Sequence, residues 1–443
     1  MSKLLEQFEH ELPKSQQLFR EARGIFPDGV THDLRRLSPF PVYIDRAEGS
    51  KKYDVDGHEL IDFWAGHGAL LMGHSHPCVI EAVQRQITRG THPGACHALE
   101  IEWAKRIQEL IPSAERLRFV NSGTEATLMA LRLTRMYTGK PRILKLAGHF
   151  HGWHDYLMIA VDHLDNQTLP GASSAVTTST VVVEPDLAKI EEALAGDESI
   201  GGVILEPTGG HWGQVPIRGD FLRELRAITT RLKRVLIFDE VITGFRVSPG
   251  GAQALYNVTP DLTTLAKIVA GGLPGGCCVG KAEIFAHLET RAGQAKMPHP
   301  GTFNANPLSA SAGIAVLDQV RTGEPTQRAS EVARQIRNRL NRLFREKSYP
   351  WVAYGDHAGF RLIPDYDGPA PTEEDFIPYD GEFAKLNRYP PTDLTHAFRC
   401  AMLLHGVDLP GLGGLTMSVH SEADIEKTVR AVDAAISRIT PES

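Results

Sequence analysis

Two adjacent carboxylates stand at the end of an apolar segment that is typical of a buried parallel strand. The segment RVLIF runs from Arg234 to Phe238, and Asp239 and Glu240 follow it with no turn signal between. An unpaired carboxylate inside a protein costs several kcal/mol. The sequence therefore predicts a cationic partner for at least one of the two acids.

A lysine with apolar neighbours lies further along the chain. Lys267 follows Leu265 and Ala266, and a glycine-rich stretch, AGGLPGG, follows it. We interpret this region as an apolar loop flanked by glycines. A lysine in such surroundings has a lowered pKa and can act as a neutral amine nucleophile. A solvated helix lysine is the alternative for Lys267 taken alone.

The segment FVNSGTEATLMALRL predicts a strand, a Ser-Gly-Thr turn and a helix. Helix N-termini offer free amides to a phosphate, Ser122 and Thr124 add hydroxyls, and Gly123 permits close approach. A plain helix cap is the alternative. Neither a dinucleotide fingerprint nor a P-loop pattern is present here, which disfavours a dehydrogenase or a nucleotide hydrolase.

Alternating patterns position these groups. From about 78 to 320, helical and strand segments alternate, which predicts an α/β fold with helices on both faces of a sheet. Residues 1–60 predict a helix, a loop and a hairpin turning at Asp56 and Gly57. After about 325 the pattern predicts a helix, a strand pair, a loop at 365–384 and a final helix capped by Ser421 and Asp424. We predict an N-terminal segment (1–60), a large domain (61–324) and a small C-terminal domain (325–443).

Composition narrows the class of protein. The chain has 443 residues, 42% of them hydrophobic, and a net charge of −7, so it shows no sign of nucleic-acid binding. No apolar run predicts a membrane span, and the N-terminus lacks the core of a signal peptide. Five cysteines in no metal-ligand spacing suit a reducing cytoplasm. The histidine pairs at 74/76 and 149/151 have no third ligand cluster, so we predict no metal site.

Six motifs, in order along the chain, resemble those of the class III aminotransferases, which are fold-type I enzymes dependent on pyridoxal 5′-phosphate (PLP). They are NSGTEA at 121–126, GHFHG at 148–152, ILEP at 204–207, FDEVITGFR at 238–246, PDLTTLAK at 260–267 and GTFNANP at 301–307. The resemblance implies a large domain with a mostly parallel seven-stranded sheet and a smaller α+β domain. It also implies a homodimer with shared active sites.

The resemblance assigns a role to each acid–base group. Asp239 matches the aspartate that pairs with the protonated pyridine nitrogen of PLP, so the missing cation would belong to the ligand. Lys267 matches the lysine that forms the Schiff base and moves the proton. Ser122, Gly123 and Thr124 match the phosphate cup.

Other cofactor contacts follow from the same resemblance. Phe150 matches an aromatic residue, commonly tyrosine in relatives, that stacks on the ring. His151 and Val241 match residues beside the cofactor, and Glu206 either supports the ring region or has a structural role. Thr302 matches a threonine that reaches the phosphate from the neighbouring subunit.

The pattern around the substrate resembles one subgroup, the glutamate-1-semialdehyde aminomutases and their neighbours. Ile242 stands where many transaminases of terminal amines carry glutamine, and Arg35 matches an arginine that binds a substrate carboxylate. A surface arginine beside Arg36 is the alternative for Arg35. His67 stands where the aminomutases carry a tryptophan, and Leu412 where they carry an acid.

Five further motifs are similar to those of the D-phenylglycine aminotransferases: PDGVT, GHGAL, GHFHGWHD, AGGLPGG and WVAYG. That likeness implies ping-pong transfer from an aryl D-amino acid, such as D-phenylglycine, to 2-oxoglutarate, with Arg35 and His67 at the substrate. The alternatives are an aminomutase, a β-amino acid transaminase and, from another class, a PLP-binding protein without turnover.

Overall fold

The computed structural model describes residues 2–161, 170–371, 376–388 and 390–439. Its strands, in chain order, are β1 (Ile44–Glu48), β2 (Lys51–Asp54), β3 (Glu59–Asp62), β4 (Arg116–Val120), β5 (Arg142–Leu146), β6 (Thr180–Val183), β7 (Ile200–Leu205), β8 (Val235–Asp239), β9 (Leu262–Ala266), β10 (Gly276–Gly280), β11 (Trp351–Tyr354), β12 (Gly359–Pro364), β13 (Val407–Asp408) and β14 (Gly413–Leu415).

Helices cover the sheets. They are α1 (Ser2–Glu11), α2 (Pro13–Ala22), α3 (Ala65–Gly68), α4 (Pro77–Ile87), α5 (Ala98–Leu110), α6 (Gly123–Thr138), α7 (Ser174–Thr177), α8 (Leu187–Gly196), α9 (Gly210–Gly213), α10 (Gly219–Arg231), α11 (Gly251–Tyr256), α12 (Ala282–Phe285), α13 (Pro307–Val320), α14 (Glu324–Lys347), α15 (Phe383–Leu386), α16 (Thr392–Leu404) and α17 (Glu422–Ile439). Short 3₁₀ turns span Pro27–Gly29, Asp33–Arg35, Lys267–Ala270, Ala286–Leu288 and Pro378–Gly381.

The central sheet has seven strands in the order β4-β10-β9-β8-β7-β5-β6. Strands β6, β5, β7, β8 and β9 run parallel, and β10 is antiparallel to both of its neighbours. Every residue of β7, β8, β9 and β10 is buried, as expected for strands covered on both faces. The predicted α/β fold is confirmed.

The stretch around Lys267 departs from the prediction. It is not one long loop, because β9 ends immediately before Lys267 and β10 begins at Gly276. Thr263 and Thr264 conceal the strand from an apolar pattern, yet both are fully buried and β9 pairs with β8 and β10. Pairing across the sheet, rather than local propensity, makes this segment a strand.

Strands from the two ends of the chain form one smaller sheet. Its order is β1-β2-β3-β13, with β13 parallel to β3, so the N-terminal segment joins residues near the C-terminus. Lys52 strengthens that join, since its Nζ contacts Asp62 at 2.8 Å and Asp408 at 2.7 Å. The predicted strand pair is present as β11 and β12. The domain boundaries at 60 and 324 stay a prediction.

The final helix begins at its predicted cap. Asp424 N–H donates to Ser421 Oγ (3.2 Å), and Ser421 N–H donates to Asp424 Oδ2 (2.8 Å). Within the described ranges, no helix combines the length and the apolar content that a membrane crossing requires. The predicted loop at 365–384 includes residues 372–375, which lie outside the described residues.

Candidate active site

Asp239 is the last residue of β8, and its carboxylate is buried at the edge of the central sheet. Oδ1 accepts hydrogen bonds from the Thr264 hydroxyl (2.9 Å) and the Val241 N–H (3.1 Å), and Oδ2 lies 2.7 Å from His151 Nδ1. Because a carboxylate only accepts, we assign the hydrogen to that ring nitrogen. No lysine or arginine in the described parts of the chain lies within ion-pair distance of Asp239.

Glu240 points the other way, into neutral donors. Its oxygens accept from the backbone N–H groups of Ala252 (2.6 Å) and Gln253 (3.2 Å), the Gln253 side-chain amide (3.0 Å) and the Thr243 hydroxyl (2.9 Å). Burial raises the pKa of Glu240, and these four bonds oppose the rise. Glu240 therefore needs no cation, and the expectation of a cationic partner applies to Asp239 alone.

Lys267 lies at the same edge, one strand away. Because β8 and β9 are adjacent and parallel, their carboxyl ends bring Asp239 and Lys267 together. Burial lowers the pKa of Lys267 to about 8; Asp239 and Glu206 oppose this, and Arg246 reinforces it. A substantial fraction of the amine is therefore neutral near pH 8.

Glu206 follows β7 and fixes the loop that carries two predicted residues. Its carboxylate accepts the N–H groups of Phe150 (2.9 Å) and His211 (3.1 Å), while its own N–H donates to His149 Nδ1 (2.9 Å). Burial, and next the charge of Asp239, raises the pKa of Glu206 to about 7. These bonds hold Phe150 beside the strand end, with its ring 42% exposed and able to face a ligand.

The predicted strand, Ser-Gly-Thr turn and helix are present, with the turn at the start of α6; its role in binding a phosphate stays a prediction. Ser122 caps the helix, and its Oγ accepts the Glu125 N–H at 3.2 Å. A Cβ at Gly123 would lie 3.0 Å from both Cγ atoms of Val241, so the turn packs directly on the segment after Asp239. A Cβ at Gly152 would lie 2.7 Å from Thr124 Cα. Three predicted segments thus meet around the N-terminus of α6.

The predicted substrate residues lie on short turns. Arg35 ends a 3₁₀ turn, and its Nη1 donates to Thr31 Oγ1 at 2.9 Å. The His67 ring stacks on His32 with centroids 4.8 Å apart, and Trp64 meets it edge-on at 4.9 Å. Burial, then His32, Arg35 and Lys267, lowers the pKa of His67 to about 4. His67 therefore lies within the electrostatic reach of both Arg35 and Lys267.

Thr302 is exposed, in a turn next to the phosphate site. Asn304, two residues on, accepts a hydrogen bond from Asn121 Nδ2 at 3.3 Å, and Asn121 directly precedes Ser122. The structure brings this turn close to the site but shows no contact of Thr302 with it. Its role across a subunit boundary stays a prediction.

Comparison with known proteins agrees with this geometry. The family described as aminotransferase class III matches residues 34–352. The chain belongs to the class III aminotransferase family. A glutamate-1-semialdehyde 2,1-aminomutase from Methanopyrus kandleri is 37% identical over 445 residues, covering 98% of this chain and 99% of the relative.

Two solved structures share the fold of this aminotransferase over almost its whole length. A transaminase with PLP bound is 27% identical, with a TM-score of 0.86, covering 97% of this chain and 98% of that one. A β-phenylalanine aminotransferase from Variovorax paradoxus is 28% identical, with a TM-score of 0.84, covering 99% and 96%. The fold is therefore fold-type I, and PLP is the cofactor of this class III enzyme.

The residues present fit PLP. Among the described residues no lysine or arginine lies within ion-pair distance of the buried Asp239 carboxylate, the N-terminus of α6 suits a phosphate, and the Lys267 amine is partly neutral. Among the described residues, no group of three or more His, Cys, Asp or Glu side chains is arranged to hold a metal ion.

Sequence reasoning does not find several residues that lie next to the predicted site residues. Thr264 and Arg246 stand inside quoted motifs without an assigned role, and His32 and Gly68 stand in or beside others. Thr264 lies directly opposite Asp239 in the strand register, a fact available only once β9 is paired. His32 is recognisable only through its stacking on His67.

Proposed function

We propose that this enzyme moves an amino group on a substrate that carries a carboxylate, with Lys267 as the acid–base group and Asp239 as the partner of the protonated pyridine nitrogen. One observation carries the proposal. The Lys267 amine and the Asp239 carboxylate, which has no lysine or arginine partner among the described residues, stand at the ends of neighbouring parallel strands, beside a helix N-terminus.

Each group of the chain has a task in this scheme. PLP, when bound, supplies the ring that takes up the electrons released at the substrate Cα. The neutral Lys267 amine would move the proton between the substrate Cα and the C4′ carbon of the cofactor. Three hydrogen-bond donors hold the Asp239 carboxylate in position, so that its charge would face the pyridine nitrogen of the cofactor. Ser122, Gly123 and Thr124 would hold the phosphate, and Phe150, His151, Glu206 and Val241 would frame the ring.

Arg35 supplies the carboxylate site. Its planar guanidinium can bind a carboxylate through two hydrogen bonds, which lysine cannot reproduce. The turn that carries Arg35 also carries His32, which contacts His67 beside Lys267. A substrate held by its carboxylate at Arg35 would therefore reach toward the Lys267 amine.

The first candidate reaction is an intramolecular exchange like that of a glutamate-1-semialdehyde 2,1-aminomutase. The support is a relative of that name with which this chain shares 37% identity end to end. Such a reaction needs no second substrate, so the enzyme would convert the semialdehyde alone.

The second candidate is transamination to 2-oxoglutarate, either from an aryl D-amino acid such as D-phenylglycine or, as a separate alternative, from a β-amino acid. The observation that favours it is the aromatic wall formed by His32, Trp64 and His67. Burial keeps the His67 imidazole uncharged near neutrality, since its pKa is lowered to about 4. An uncharged aromatic wall accepts an aryl side chain without placing a charge against it.

Two assays separate the candidates. The holoenzyme is given glutamate-1-semialdehyde without any second substrate, and in parallel a panel of α- and β-amino acids of both hands with 2-oxoglutarate. Conversion of the semialdehyde alone establishes the aminomutase, and conversion that requires the oxo acid establishes transamination. If wild-type enzyme and Lys267→Ala behave alike in both assays, the proposal is wrong.

We also propose that the enzyme is a homodimer in which Thr302 reaches the partner's active site. We further propose that it is located in the cytoplasm. Support for the dimer comes from two apolar side chains near the site that are exposed in the single chain, Trp153 and Phe303. The five cysteines are free thiols, which suits a reducing compartment. Light scattering of the holoenzyme tests the dimer. Thr302→Val should then weaken PLP binding, while light scattering should still give the mass of a dimer.

A further inference from the structure

Arg246 is a buried arginine that hydrogen-bonds to the backbone beside Lys267. Its side chain is 2% exposed, and no carboxylate in the described parts of the chain lies within ion-pair distance. Burial lowers the pKa of Arg246 to about 10, so the guanidinium stays charged at neutral pH. A buried cation without a carboxylate is costly, which calls for a reason beyond packing.

The guanidinium bridges two chain segments that flank the lysine. Nη2 donates to the Gly68 carbonyl at 2.8 Å, and Nη1 donates to the Thr416 carbonyl at 3.0 Å. Gly68 ends the turn that carries His67, and Thr416 directly follows β14. One side chain from the turn segment after β8 thus fixes backbone from both ends of the sequence.

Gly68 lies against the reactive side chain. A Cβ there would lie 3.6 Å from Lys267 Cδ and 3.1 Å from Leu415 Cδ1, and the φ of +88° also favours glycine. The position of the Gly68 backbone therefore decides how much room Lys267 has. Arg246 fixes that position through the Gly68 carbonyl.

The turn that presents Arg246 is held by Glu240. Thr243 donates its hydroxyl to Glu240 (2.9 Å), and the Arg246 N–H donates to the Thr243 carbonyl (3.1 Å). The second acid of the opening pair therefore has a purpose separate from that of Asp239. It shapes the turn from which Arg246 reaches the Gly68 carbonyl.

We propose that Arg246 is a positioning residue that sets the backbone around Lys267 and, by its like charge, adds to the effect of burial in making the amine easier to deprotonate, so that it can bind the cofactor aldehyde. The second effect agrees with the direction in which Arg246 moves the pKa of Lys267, which is downward. This inference rests on the proposed role of Lys267.

Two substitutions separate position from charge. Arg246→Met removes both the charge and the two hydrogen bonds. Arg246→Lys keeps the charge, but an ammonium lacks the planar fork that spans two carbonyls. Gly68→Ala disturbs the same contact without altering any charge. Arg328→Met is the matched control, because the exposed Arg328 also donates to a carbonyl of the C-terminal segment, that of Ser418 (2.8 Å), away from Lys267.

The experiment follows PLP recombination with the apoenzyme across pH, by absorbance and by borohydride trapping with peptide mass spectrometry. For Arg246→Met we expect the midpoint of the pH profile to rise, so that recombination at pH 7 slows about three- to tenfold, since the neutral fraction changes tenfold per pH unit. Arg246→Lys and Gly68→Ala should keep the wild-type midpoint but recombine more slowly at every pH. Arg328→Met should match wild type.

The outcomes distinguish this inference from the function on which it rests. If Lys267→Ala still traps PLP as wild type does, the assignment of Lys267 is wrong. If wild type traps PLP on Lys267 and all three test variants follow its profile, only the role of Arg246 is overturned. Should Arg246→Met fail to fold, as judged by thermal unfolding, a wild-type profile for both Arg246→Lys and Gly68→Ala overturns the proposal.

Discussion

The two ends of the site are built differently. At the cofactor end, Asp239, Glu206 and Lys267 stand at the tips of buried parallel strands, and both acids accept several hydrogen bonds. At the substrate end, Arg35 and His32 lie on an exposed 3₁₀ turn with few contacts. The first end is determined by the sheet, and the second by short turns.

Because of this difference, we expect the cofactor end to determine the type of reaction and the substrate end to determine which substrate is bound. Strand ends cannot move without breaking the sheet, so the relation of Asp239 to Lys267 is constant whatever the substrate. Short surface turns tolerate change at little cost in stability. We therefore expect substitutions at the cofactor end to affect catalysis, and those at the substrate end to affect affinity and specificity.

The largest effect is expected from Lys267→Ala. Turnover should fall by about 10⁴-fold or more, because both the amine that binds PLP and the group that moves the proton are lost. The measurement is the rate of amino transfer, with borohydride trapping as a second readout. Lys233→Ala, at an exposed turn, is the control. Residual turnover within tenfold of wild type would contradict the assignment.

A second test compares the neighbours Asp239 and Glu240. Asp239→Asn should still bind PLP but reduce turnover by about 10² to 10³-fold, because the fixed charge opposite the ring nitrogen is lost. Glu240→Gln should instead lower the free energy of unfolding by about 1 to 3 kcal/mol, because buried donors lose their charged acceptor.

Kinetics and denaturant unfolding are measured on both variants of that pair. If Glu240→Gln had reduced turnover but wild-type stability, and Asp239→Asn had wild-type turnover, the separate roles assigned to the two acids would be refuted. Equal loss of PLP binding in both variants would also refute them.

At the substrate end, Arg35→Lys should raise KM about tenfold, roughly 1.4 kcal/mol, with kcat nearly unchanged. The reason is the loss of two-point recognition of a carboxylate. Arg36→Lys, at the adjacent exposed position, is the control and should leave KM unchanged. A fall in kcat without a change in KM would show that Arg35 acts in catalysis, like the residues of the cofactor end, and not in substrate binding.

The smallest effect concerns acid stability and two histidines: His67 at the substrate end, and His154, whose Nε2 lies 3.2 Å from the Thr127 hydroxyl on α6 at the cofactor end. Burial is the main cause that lowers the pKa of His67 and of His154 to about 4. Between about pH 6.5 and 4 the unfolded chain therefore binds more protons at these positions than the folded chain, so stability falls as pH falls. Replacing either with asparagine should reduce the loss of Tm between pH 7 and 5 by about 1 to 3 °C.

The exposed His10, replaced by asparagine, is the control for that experiment. If the two variants and wild type lose the same Tm between pH 7 and 5, the buried histidines do not contribute to acid sensitivity. A change in only one variant would assign the sensitivity to one end of the site.

Much of the cofactor end could be predicted from the sequence. Strand patterns ending in Asp239, and a helix beginning at Ser122, are local features, and the edge at which parallel strands end follows from the fold class. The strand β9 could not be predicted, because its threonines mask the apolar pattern until neighbouring strands bury them. The substrate end was available only through resemblance, since no local pattern brings His32 to His67.

By itself, the sequence determined which groups are available: an acid after a buried strand, a lysine among apolar residues and a capped glycine turn. It determined these because propensity and hydrophobic pattern act over a few neighbouring residues. Only the tertiary structure decided that Glu240 is held by neutral donors, that Thr264 supports Asp239, and that Arg246 joins Gly68 to Thr416. Those contacts connect residues from 3 to 178 positions apart, and the long separations close only when the strands pair and the core packs.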